Sequence, residues 1–289
     1  NATGLLNKTL GCPGAGCCNG AVGGYVANRS HTFFNNREGA TINMLELDMR
    51  GLLDCVYNNN TLGNSIFEDG RALDDNTDGG LVFHLSVDGP NSSIVNNYGV
   101  RIRNAQSLQS NIGAAPDVLG MTVVSDQAIY IRGDYNAVGK IPAAVLSDTF
   151  NILSNAWNLN DAASTNPNTG ARVASNTTFN AAVLSGTDTT GNVEGAGGQG
   201  GAYNGGYENY PRFHESWSGR TFLYRGSFVS LNQPRHQDGG WVYGNPQYTA
   251  PNRDWDYDLD FNDAANLPPL TPRFVYLRQE LFVRQFEQE

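Results

Sequence analysis

The stretch GMTVVSDQAIYIRGDYN, Gly120 to Asn136, decides how the rest of the chain is read. Two apolar bursts, Val123-Val124 and Ile129 to Ile131, flank a Ser125-Asp126 turn signal. Short apolar runs bounded by turn residues read as strands. The unit returns 22 residues later as AAVLSDTFNILSN, where Val145, Leu146, Ser147 and Asp148 precede Ile152 and Leu153. Its first half returns 38 residues beyond that as AAVLSG, 181–186, and IYIRGDY at 129–135 is echoed by FLYRGSF at 222–228. Units of this size cannot bury their apolar row alone and are expected to stack. The expected fold is therefore mainly β, a right-handed parallel β-helix or solenoid-like body with one N-terminal helix. The alternative is an antiparallel β-sandwich whose turns reuse Ser-Asp.

Outward from this centre, apolar bursts broken by Gly, Asn, Asp and Pro predict strands near 80–87, 98–103, 119–125, 128–132, 143–147, 150–153, 180–185, 220–231, 254–261 and 273–283. Upstream, TINMLELDMRGLLDCVY places Ile42, Leu45, Met49, Leu52, Leu53 and Val56 at three- and four-residue steps, which predicts an amphipathic helix over 41–57. Residues 1–39 are rich in Gly, Asn and Cys and read as an irregular lead-in; 40–289 read as a single β-rich domain.

Cys12, Cys17, Cys18 and Cys55 have neither the spacing nor the histidine partners of a zinc site. They are expected to form disulfides that pin the lead-in to the segment around Cys55, in an oxidising compartment. Sequence leaves the pairing open.

The 289-residue chain carries 28 acidic and 18 basic residues for a net charge of -10, a balance that disfavours nucleic acid and anionic membrane surfaces as partners. It contains 34 Gly, which suits many tight turns. No apolar run has membrane-spanning length. With neither an initiating Met nor a signal peptide, the sequence reads as a mature or trimmed product, with any export signal or anchor expected upstream.

The sharpest local pattern is RDWDYDLDFND, in which Asp254, Asp256, Asp258 and Asp260 alternate with Trp255, Tyr257, Leu259 and Phe261. On an extended strand this alternation puts the four carboxylates on one face, about 7 Å apart, and the apolar residues in the core. Such a row is a candidate calcium site; a solvated face or an arginine partner is the alternative. A second candidate is the Gly-rich segment 191–211, where Tyr203, Tyr207 and Tyr210 offer rings to a glycan or a neighbouring subunit. A third is the closing RFVYLRQELFVRQFEQE, a docking element built on Phe274, Tyr276, Phe282 and Val283. The Arg-Gly-Asp at 132–134 sits at a strand end and carries no adhesive expectation. FHESWSGR brings His214, Glu215, Ser216 and Ser218 together without a nucleophile elbow, and no catalytic residue is singled out.

Taken in order, MTVVSDQAIYIRGDYN, IPAAVLSDTFNILSNAWN, ESWSGRTFLYRGSFVSL, DWDYDLDF and LPPLTPRFVYLRQELFVRQFE resemble the C-terminal part of the hormogonium polysaccharide biosynthesis protein A family, surface proteins of filamentous cyanobacteria. A looser likeness extends to surface proteins found with type IV pilus genes. The resemblance covers roughly 40–289 and supplies no catalytic residues. It implies an extracellular, non-enzymatic structural protein at the cell surface, a fibre or sheath subunit that self-associates and is linked to polysaccharide and gliding motility. A pilus-linked adhesin or glycan-binding module is the alternative, and a polysaccharide lyase or hydrolase the second.

Overall fold

The computed structural model describes residues 26–35, 40–61, 71–85, 98–158, 169–185, 210–230 and 248–271. These residues form a mainly β protein with one α-helix. A hairpin of β1 (Val26–Asn35) and β2 (Ala40–Asp48) leads into α1 (Met49–Thr61). Thereafter the chain passes back and forth between two sheets. The first holds β4 (Tyr98–Ala105), β6 (Ala128–Tyr135), β8 (Phe150–Leu153), β9 (Thr177–Asn180), β11 (Arg212–Phe213), β12 (Thr221–Gly226) and β14 (Asn252–Tyr257) beside the hairpin. The second holds β3 (Leu81–Leu85), β5 (Met121–Ser125), β7 (Ala143–Ser147), β10 (Ala182–Ser185) and β13 (Phe228–Ser230), in the order β13-β10-β7-β5-β3.

Except for β1 with β2, every strand pair among the described residues is parallel, which excludes the antiparallel sandwich. The register explains the repeated sequence. Val123 lies beside Val145 and Val145 beside Val183, so VVS, AAVLSD and AAVLSG are neighbouring strands. Ser147, Ser185 and Ser230 form a column two residues on. In the first sheet Ile129 faces Phe150 and Ile131 faces Ile152, an offset of 21 rather than 22. The echo between 129–135 and 222–228 is not a register match, because Phe179 pairs with both Tyr135 and Tyr224.

The main core lies between the sheets. Val100, Ile102, Ile129, Ile131 and Ile152 point inward from the first, and Val123, Val145 and Val183 from the second. Through it runs an aromatic column: Tyr135 stacks on Phe179 at 5.1 Å between centroids, Phe179 on Tyr224 at 5.9 Å, and Tyr224 meets Trp255 edge-on at 6.3 Å. Parallel register sets rungs about 4.8 Å apart, close to the spacing at which offset rings attract.

Two expectations for the N-terminal region change. Within 1–39, residues 26–35 are a strand paired along β2. The helix expected over 41–57 is strand up to Asp48 and helix only from Met49. Both faces of β2 are covered: Ile42 and Met44 enter a small second core with Ala128, Tyr130, Leu153 and Trp157, while Leu45 and Leu47 face the main one. The apolar pattern is then near-continuous and loses its period of two. Asp48 ends the strand as a helix N-cap, its Oδ1 accepting the Gly51 N–H at 3.0 Å. Cys55 is buried on α1, whereas Cys12, Cys17 and Cys18 lie outside the described residues.

Beyond β14 the chain turns back as a strap. Asp258 caps a one-turn 3-10 helix at Leu259–Asn262, and a second follows at Ala264–Asn266. The strap then reaches the start of the second sheet, where Thr122 Oγ1 donates to the Pro269 carbonyl at 2.8 Å and Leu270 N–H to the Asp78 carbonyl at 3.3 Å. Gly120 admits it: a Cβ there would meet the Pro269 ring at 3.2 Å and the Gly79 carbonyl at 2.4 Å.

The aromatic column yields a paired expectation. Phe179 is fully buried, so Phe179→Ala should cost about 3–5 kcal/mol. The Tyr135 hydroxyl is buried without a hydrogen-bond partner among the described residues, so Tyr135→Phe, which keeps the ring, should be neutral or stabilise by about 1 kcal/mol. Urea unfolding of both variants checks the two signs.

Candidate functional site

On the β2-β4-β6-β8-β11 sheet the face turned away from the main core carries polar side chains where an exposed sheet would be expected to meet water. One row across it reads Glu46, Arg101, Tyr130, Asn151, Arg212, in register and all buried. Arg101 Nε donates to Glu46 at 3.1 Å, and Arg103 Nε donates to the other oxygen of Glu46 at 2.7 Å. A buried carboxylate is tolerable only when paired and hydrogen-bonded, and Glu46 is both. Tyr130 Oη accepts from Asn35 of the hairpin at 3.2 Å, so β1 folds down onto this face.

At the far end of the face, the two residues that follow β11 are His214 and Glu215. His214 Nε2 lies 2.9 Å from Asn151 Oδ1, and the His214 ring packs beside Tyr130. Glu215 accepts the Ser154 N–H at 2.6 Å and the Ser154 hydroxyl at 2.7 Å, fastening the end of β8. Arg172, over the Trp157 ring, donates to the carbonyls of His214 and Phe34. Burial pushes the Glu215 carboxyl up from its ordinary 4.5 to about 7, against the Ser154 hydrogen bonds and the charges of Arg172 and Arg132. A carboxyl that exchanges its proton near neutrality suits general acid–base chemistry. Glu215 is only 1% exposed with both oxygens engaged, and in this arrangement it joins strand ends.

The acidic row at 254–260 is rearranged relative to the expectation. Strand β14 ends at Tyr257, and the switch into the 3-10 helix inverts the alternation: Asp258 is buried while Tyr257 and Leu259 are exposed. The four carboxylates thus do not share a face. Asp254 pairs with Arg225 at 2.8 Å, and Lys140 holds Asp258 at 2.9 Å and Asp260 at 2.6 Å. The Lys140 pKa is raised: partial burial opposes its charge, but the bonds and charges of Asp260 and Asp258 outweigh it. Among the described residues no group of three or more His, Cys, Asp or Glu side chains is arranged to hold a metal ion.

Tyr210 packs into the main core at 7% exposure, so its ring is not a glycan platform; the chain enters β11 directly after it. Tyr203, Tyr207, Phe274, Tyr276, Phe282 and Val283 lie outside the described residues. Sequence reasoning passed over the Glu46–Arg101 row, and it read Glu215 only within FHESWSGR, not as a buried clasp on Ser154. The available signal was the placing of charges inside short strands, in YGVRIRNA and RFHE.

A shallow cleft of about 210 Å³ opens where β4 and β6 end, lined by Arg103, Asn104, Ala105, Gln106, Arg132, Gly133, Asp134 and Asn155. Asn104 at φ 54° and Gly133 at φ 81° turn the chain there in the left-handed region. Arg132 Nε and Nη2 are held by the carbonyls of Trp157 and Asn155.

Two measurements follow from this geometry. A carboxyl whose pKa is higher in the fold than in the open chain adds stability that is full below about pH 4.5 and lost as pH rises to about 7. Denaturant stability should therefore fall by about 3 kcal/mol between those limits, and Glu215→Gln should flatten the profile. Lys140→Met keeps the stem but leaves Asp258, 8% exposed, without its cation; it should cost about 1–3 kcal/mol in thermal unfolding.

No family model, curated protein or solved structure matches this chain.

Proposed function

We propose that this chain is a secreted structural protein of the cell surface, whose two-sheet body is a right-handed parallel β-solenoid, and that it builds an extracellular fibre or sheath associated with polysaccharide and gliding. The observation that carries the reading is the register. Successive passes lay like residues over like, Val123 on Val145 on Val183 and Tyr135 on Phe179 on Tyr224, which is how a solenoid buries a continuous core. Such a body is a rigid rod that presents its ends for addition. At one end, β14 has β12 as its single strand neighbour among the described residues, and an open parallel edge is a template for a further strand.

The resemblance of the sequence to the hormogonium polysaccharide family adds the surface, the polysaccharide and the motility. Calcium stays outside the reading, since Arg225 and Lys140 already occupy Asp254, Asp258 and Asp260. A lyase or hydrolase would require a solvent-facing acid and base, and Glu215 is buried. The adhesin or glycan-binding reading is favoured over the enzyme by the polar cleft at Arg132.

Sedimentation velocity across a wide concentration range, with electron microscopy of the same samples, tests the fibre. Self-association into rods is expected, and Arg253→Pro, which puts a proline where the β14 backbone N–H faces away from β12, should suppress it. A chain that stays monomeric at every concentration overturns the proposal.

A further inference from the structure

Arg103 and Arg132 are register neighbours on β4 and β6 and share a face. Like charges placed directly opposite across a strand pair repel. The chain compensates one of them: Arg103 Nε bonds Glu46, and its Nη1 pairs with Asp48 at 2.8 Å. It does not compensate the other in the same way. Arg132 makes no ion pair among the described residues; two of its nitrogens donate to backbone carbonyls, and Nη1 has no partner. Its next neighbour across the sheet is the apolar Leu153. A cation is therefore fixed in place, next to a second cation, at the wall of an open cleft.

The same cleft also carries complementary chemistry. Asp134 Oδ1 accepts from the Thr178 N–H and from Asn155 Nδ2, both at 2.8 Å, which immobilises the carboxylate at the cleft while its Oδ2 makes no hydrogen bond among the described residues. Asn155 in turn accepts the Asp134 N–H at 2.9 Å and donates to the Asn176 carbonyl, so this part of the cleft is rigid. Gly133 is required: a Cβ there would stand 2.7 Å from Asn155 Oδ1. The result is a preorganised guanidinium and a preorganised carboxylate lining one space of about 210 Å³. That volume lies below the roughly 300–1,000 Å³ of drug-sized pockets and suits one sugar ring.

We propose that this cleft binds a uronic acid residue of an acidic polysaccharide. The sugar carboxylate bonds Arg132 beside Arg103, and its hydroxyls donate to Asp134. Guanidinium forks match carboxylate geometry, and charge-assisted bonds are the strong ones. Asp134 disfavours a bare anion and favours one that carries hydroxyls, which is the distinction between a uronate and a simple salt. Burial lowers the Arg132 pKa and the adjacent Arg103 charge adds to the effect, while the charges of Glu46 and Glu215 oppose it.

The proposal extends only the polysaccharide part of the function above; sedimentation of the same samples reports self-association separately, so the two can fail independently. Titration calorimetry of the full chain with trigalacturonate is the test, with galactotriose, acetate and sulfate as controls. Binding of trigalacturonate alone is expected. Arg132→Ala should weaken it roughly tenfold or more. Arg132→Lys, which keeps the charge without the fork, and Asp134→Asn should each weaken it while unfolding as the parent does, and they serve if Arg132→Ala does not fold. No binding, binding unaffected by the Arg132 and Asp134 variants, or acetate or sulfate binding as tightly as trigalacturonate would overturn the proposal.

Discussion

The structure depends on parallel registration of strands that are separated by a whole excursion of the chain. Parallel pairing puts each residue beside the one at the same position in the neighbouring pass, so every column through the body must be filled by mutually compatible side chains. Apolar columns satisfy this by dispersion and exclusion of water. Val123, Val145 and Val183 do so in one sheet, and the aromatic column closes the space between the sheets. The corners obey the same rule. Asn136, at φ 52°, accepts the Ile141 N–H and donates to the Asn180 carbonyl, while Asn180 donates back to the Asn136 carbonyl. Each turn is thus tied both to itself and to the turn above.

Columns of charge are harder to stack, and the outer face of the first sheet shows how this is done. Acids and arginines alternate along the rows Glu46–Arg101 and Asp48–Arg103 instead of repeating one sign. Once sign alternates, the row is self-neutralising, and Glu46 and Arg101 tolerate near-complete burial. The break comes at Arg103 beside Arg132, at the edge of the buried face, where the surplus charge reaches solvent.

Legibility followed burial. Strands with one apolar face, or with an apolar run repeated in register, were readable: AAVLSD and AAVLSG are neighbours because they fill the same columns. β2 read as helix because both its faces are covered, and spacings of three and four arise in any dense apolar run. β9 and β11, TTFN and RF, are too short and too polar to register as strands. The acidic row misled because alternation in sequence persists past Tyr257 while the backbone does not. Glu46 and Glu215 were hidden for a different reason: a buried carboxylate is recognisable only from partners that lie 55 and 61 residues away in sequence.

In a body made of stacked passes, each layer contacts only the next, and such arrays can open from an end one layer at a time. The strap from Asp258 to Leu270 alters that. It leaves the last strand of one sheet, is gripped by Lys140 at its start, and is anchored at Asp78, Gly120 and Thr122, beside the first strands of the other. A terminal layer cannot peel away without loosening a segment bound to layers at the opposite end. The strap thus makes a linear stack mechanically circular, so that opening at either end is coupled to the other and loss of structure becomes a single concerted event.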